Sequence, residues 1–227
     1  MADEKNSLPL ENEFAKQLRK IAGDLWGKTD TAVEAEPKPK KEKPKKVVVD
    51  QPVIGIHNLW KTADETIDWT DAMGHAMPSD GLTSAKAWRF FHEKAKDVLA
   101  GKLEAYSEVL KFSNPLGELI EFAEGISIRP DSAERLECRF TAKEKYLKEN
   151  PRKYCAAVSI RIARDLFACR PVEEVAVHVL DGENEIMAVT YRREQLLHRN
   201  FSFLDPEAFA EECGAEYRLE YNEGNAD

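Results

Sequence analysis

The chain has 227 residues, enough for one large domain or two small ones, and its 42% hydrophobic content is that of a globular protein. Its net charge of −9 is unevenly placed: residues 1–47 hold eleven Lys/Arg against nine Asp/Glu, the remainder 22 against 33. So acidic a body argues against a phosphate-neutralising nucleic-acid surface, and no apolar run reaches the about eighteen residues a membrane span needs.

The start, MADEKNSLPLENEF, has neither the basic n-region nor the apolar h-region of a secretory signal, so a cytoplasmic protein is expected. From Leu10 to Trp26 an amphipathic helix is expected, with Phe14, Leu18, Ile21 and Leu25 at i, i+4, i+7 and i+11 forming one narrow apolar stripe. A helix this short is marginal alone in water. The stripe must therefore rest on this protein's own body or on a partner.

Residues 36–46, EPKPKKEKPKK, carry six lysines and three prolines and no large apolar side chain. Like charges repel and each proline removes a backbone donor, so a disordered, extended linker is expected. The organisation read from composition is an N-terminal helix in 1–30, a linker in 31–50, a mainly helical region in 51–125 and an α+β domain in 126–227. The joint has no interleaved aromatics for base stacking, so no specific nucleic-acid binding is assigned to it.

Val47–Val49 and Val53–Ile56 are short apolar runs that fit strands, and Asn58 to Gly81 reads as a long loop with a short helix. Thr83 to Ala100 is a clear helix, with Trp88, Phe91, Ala95, Val98 and Leu99 on one side and Gly101 as its C′ residue. A second helix through Leu103, Tyr106, Val109 and Leu110 follows. Asn114-Pro115 then reads as the N-cap and first position of a third, Leu116 to Ala123, closed by Gly125.

Beyond Ile126 the period changes from helical to two. Leu136, Cys138 and Phe140 alternate with Arg135, Glu137 and Arg139, a half-buried strand. Asn150-Pro151 opens a helix to Cys169 that is apolar on most sides and so expected to be buried. Val175, Val177 and Val179, the turn Asp181-Gly182-Glu183-Asn184 and the return to Arg192 make a hairpin. Asp205-Pro206 caps a helix to Cys213, and Tyr217, Leu219 and Tyr221 form a last strand. From Arg135 onward the order is β-α-β-β-α-β, which points to a ferredoxin-like plait of two helices on a four-stranded antiparallel sheet.

Motifs for chemistry are sparse. There is no phosphate loop, dinucleotide fingerprint, nucleophile elbow, H-E-x-x-H, EF-hand loop or kinase signature, and no cofactor is expected. The densest set of ligand-type residues is Asp68, Asp71, His75 and Asp80, with Asp71 and His75 four apart on one helical face. That spacing matches no established metal site, and acids capping turns is the plainer reading. His178 stands on the sheet face opposite Val175, Val177 and Val179; a four-residue turn would pair Leu180 with Glu185 and His178 with Met187.

Cys138, Cys155, Cys169 and Cys213 are far apart and contain no C-x-x-C, so buried reduced thiols are expected rather than nucleophiles or zinc ligands. Arg161 and Asp165, four apart on the buried helix, read as an ion pair. The leading expectation is a non-enzymatic interaction or accessory protein, which docks a protein partner, or a second copy of itself, through Phe14, Leu18, Ile21 and Leu25. The alternative is an enzyme or a metal- or ligand-binding module with a site near residues 68–80.

Overall fold

The computed structural model describes residues 55–78 and 83–219. The stripe Phe14, Leu18, Ile21 and Leu25, the Lys/Pro joint, the apolar runs before residue 55, Asp80 and the end of the expected last strand lie outside the described residues. No helix among those described is long and apolar enough to cross a membrane.

Gly55 and Ile56, expected in a strand, sit in a turn instead, where the Gly55 N–H donates to the Asn58 side chain at 2.7 Å. A 3-10 turn at Leu59–Lys61 leads to helix α1 (Trp69–Gly74), capped by the Asp68 carboxylate, which accepts from the amides of Thr70 and Asp71. Helix α2 (Ala85–Leu99) is capped by Ser84 and buries Trp88, Phe91, Ala95 and Val98, as its period requires, but Leu99, expected with them, is its last residue and is exposed. Gly101 at φ 71 turns the chain into α3 (Leu103–Ser113).

Asn114 does not open a third helix. It closes α3 in the left-handed region at φ 44, a conformation asparagine tolerates, and its N–H donates to the Leu110 carbonyl. Only a 3-10 turn, Gly117–Glu121, follows before strand β1 (Ala123–Pro130) begins. Gly125, read as a helix stop, is at φ 56 beside the register shift between Glu124 and Ser127 of β1.

β2 (Arg135–Ala142) pairs antiparallel with β1. After the short helix α4 (Glu144–Leu147) comes α5 (Pro151–Cys169), opened by Asn150 and Pro151 as expected and buried along nearly its whole length. β3 (Glu174–Asp181) and β4 (Asn184–Arg192) form the expected hairpin around Gly182 at φ 59. Helix α6 (Arg193–Leu197), helix α7 (Pro206–Glu212) and a two-residue β5 (Glu216–Tyr217) complete the described chain.

The fold is α+β. Among the described residues five strands form one mixed sheet in the order β1-β2-β3-β4-β5. The succession β-α-β-β-α-β is present from Arg135 on, but its pairing is not that of the plait. A plait would seat β4 between β2 and β3; here β2 and β3 lie side by side and parallel, from Arg135↔Glu174 to Thr141↔Leu180. The reason is β1. It occupies the edge of β2 that a plait leaves for the last strand, so β5 pairs only with β4, at the far end of the sheet.

One face of the sheet is covered. Leu136, Cys138, Phe140, Val175, Val177, Val179, Met187, Val189 and Tyr191 are buried there, and α5 packs across them. These side chains belong to a single buried cluster that runs from Leu59 to Ala210 and includes Trp69, Trp88, Phe91 and Tyr106 of the helical stretch. Burial of a large aliphatic or aromatic side chain contributes about 1.5–3 kcal/mol each, so this cluster dominates the fold's stability.

Candidate functional site

Most chemistry-bearing side chains on the covered side serve the fold. Arg161, 2% exposed, donates from Nε to Asp165 at 2.6 Å and reaches the Thr62 hydroxyl, while Asp165 accepts the Asp64 amide at 2.9 Å. Arg164 donates to the carbonyls of Trp60 and Thr62 and lies over the Phe201 ring. Together they tie the segment 60–64 to α5. The i, i+4 pair expected from the sequence is present, but fully buried. Burial pushes the Asp165 carboxyl up to about 7 despite the opposing pull of Arg161.

Arg170 and Arg193 work in the same way. Arg170 donates to the Tyr106 carbonyl, and Arg193 donates to the carbonyls of Val172, Phe167 and Arg170. Cys138, Cys155 and Cys169 are buried, and their thiols are pushed up to about 12 by desolvation; half-buried Cys213 rises to about 11. Thiols so rarely ionised are poor nucleophiles.

Of the ligand-type residues near 68–80, Asp68 spends one oxygen on the α1 cap. Asp71 and His75 meet at 2.5 Å, as their spacing implies. No group of three His, Cys, Asp or Glu among the described residues is placed to hold a metal ion.

Asp68 and Asp71 instead line a cavity of about 760 Å3. Its other acidic walls are Asp64 and Glu65, and Trp88, Phe91 and Phe112 supply its aromatic surface. The Trp88 indole N–H donates to the His75 carbonyl at 2.9 Å, fixing that ring, and Phe91 lies edge-on to Trp69 and to Phe112. The Ile67 N–H donates to the Ala168 carbonyl at 2.8 Å, which holds the acidic wall against the end of α5.

The open face of the sheet is different in kind. Arg129 and Arg139 both bond Glu137, at 2.6 and 2.8 Å; Arg135 and Arg192 both bond Glu174, at 3.3 and 3.2 Å. His178 and Arg218 both bond Glu185, at 2.6 and 2.7 Å. Each carboxylate is thus held between two cationic or basic side chains. The expected Leu180–Glu185 pairing is present, but a register shift after Val179 sets His178 opposite Ala188 and gives Met187 to Val179.

The order of layers on this face matters. Glu137 is 15% exposed while Arg129 is 70% exposed, so guanidinium forms the outer layer and carboxylate the inner one. The Arg129 hydrogen bond, reinforced by Arg139, holds the Glu137 carboxyl below its usual range. Arg135, Glu137 and Arg139 were legible only as a wet strand face, because their clamp partners come from β1, β3 and β4. No family model matches this chain, and no curated protein and no solved structure matches it.

Proposed function

We propose that the protein is a non-enzymatic interaction protein whose open sheet face docks an acidic segment of a protein partner. The observation that carries this reading is the layering of that face: three carboxylates, each shared by two basic side chains, with Arg129, Arg139, Arg192 and Arg218 projecting furthest. A partner carboxylate meets guanidinium first, and the planar donor fork of arginine suits bidentate pairing. The inner glutamates hold the forks in place, which lowers the entropy lost on binding.

The apolar stripe Phe14, Leu18, Ile21 and Leu25 supplies a second contact in this reading, of the helix-in-groove kind. The Lys/Pro joint between the two sets their reach and so the effective concentration of the second contact.

The test is fluorescence anisotropy of a labelled Glu/Ser peptide against the full chain at about 50 and 300 mM salt. Saturable binding that weakens with salt and is lost in the double variant Arg129→Glu, Arg139→Glu is expected. Equal binding by that variant would sink the reading. Replacing Leu18 and Ile21 by Glu in the full chain should weaken a natural partner and leave the short peptide unaffected.

A further inference from the structure

We infer that the cavity between residues 64–71, the start of α2 and the end of α3 is a binding site for a small organic cation, an ammonium group carried on an apolar body. Among the described residues its walls hold four carboxylates, Asp64, Glu65, Asp68 and Asp71, and no lysine, arginine or histidine side chain. The remaining surface is dominated by the rings of Trp88, Phe91 and Phe112. A cavity of about 760 Å3 is of the size that encloses a small molecule. Carboxylates beside aromatic faces attract a weakly hydrated cation twice over, by charge and by the ring quadrupole.

Two further features point to a ligand. The Ser113 hydroxyl, in the cavity wall, is buried and has no hydrogen-bond partner among the described residues, an unmet polar group at the edge of the site. Phe112 is 39% exposed yet held by a face-to-face stack on Phe90 at 4.0 Å, a ring kept at the cavity rim and fixed in orientation. The acidic wall is likewise held before any guest arrives. Arg161 lies 3.6 Å from Asp64, and the segment 60–64 is tied to α5 by Arg161 and Arg164. Glu65 has no ion-pair partner among the described residues, which leaves its charge for the guest.

This site is separate from the open sheet face and of opposite sign, so its failure and that of the docking reading are independent. The probe is phenethylammonium, titrated calorimetrically into the full chain, with 2-phenylethanol and phenylacetate as the neutral and anionic analogues. One equivalent should bind with a submillimolar dissociation constant, and the two analogues about tenfold more weakly or not at all. Glu65→Gln and Asp68→Asn should each weaken binding about tenfold; asparagine keeps the α1 cap, so the fold is retained.

No saturable heat up to about 10 mM overturns the inference, as does phenylacetate binding as tightly or Glu65→Gln without effect.

Discussion

Arginine and carboxylate do opposite jobs on the two sides of this sheet. On the helix-covered side Arg161, Arg164, Arg170 and Arg193 donate to backbone carbonyls and to buried Asp165, and their charge is spent on holding segments together. On the open side Arg129, Arg139, Arg192 and Arg218 stand over Glu137, Glu174 and Glu185 with their guanidinium groups in water. Breaking a buried pair leaves an uncompensated charge in low dielectric, whereas an exposed pair is close to energetically neutral. The same residue types therefore hold segments together on one side and stand in water on the other, and burial decides which.

The largest expected effect comes from truncating the covered face itself. Phe140 is fully buried beside Val179, and Phe140→Ala should cost about 4 kcal/mol in urea unfolding, from lost transfer energy plus the cavity left behind. Next is Asp165→Ala, which strands Arg161 and should cost about 3 kcal/mol. The variant should also loosen the segment 60–64, read as faster amide exchange at Asp64, whose N–H Asp165 accepts. Arg161 also reaches the Thr62 hydroxyl and lies 3.6 Å from both Asp64 and Glu118, and a cost near zero would mean that these suffice for it and that the contrast between the two sides shrinks.

How far the sequence reveals these two sides differs for a physical reason. The covered face is legible because burial imposes period: Leu136-Cys138-Phe140 and Val175-Val177-Val179 alternate, α5 opens at Asn150-Pro151, and α2 stops at Gly101. β1 is not legible. It is an edge strand in which only alternate residues touch the core, so its apolar side chains, Ile126 and Ile128, are few and half-buried. Missing β1 hid both the sheet order and the Arg129–Glu137 clamp. The cavity was half visible: Asp68 and Asp71 stood out as acids, but Trp88 and Phe91 read as helix core, Phe112 carried no signal of its own, and nothing local in the chain says that these rings meet.

A smaller effect separates the buried pair by pH. The Asp165 carboxyl lies near 7 in the folded protein, above its unfolded value near 4. The folded state therefore binds the extra proton between those values. The stability this group contributes is complete below about pH 4 and is lost as pH rises through about 7. Wild type should lose stability relative to Asp165→Asn over that window, by at most about 1.4 kcal/mol per pH unit. Parallel curves for the two proteins from pH 5 to 8 would place the carboxylate's charge with Arg161 at every pH, as in an exposed pair.

The smallest expected effect is the one the docking reading depends on most. Arg139 is 57% exposed and shares Glu137 with Arg129, so Arg139→Ala should change unfolding stability by less than about 1 kcal/mol. Its coupling to Glu137 in a double-mutant cycle should shrink further as salt is raised, because exposed charges are screened within about a Debye length. Binding of the acidic peptide should nonetheless fall in the same variant. A residue that costs the fold almost nothing and the complex a great deal is a recognition residue. If Arg139→Ala instead cost as much as Asp165→Ala, the open face would be held together by its clamps, and the two sides of the sheet would be doing the same work.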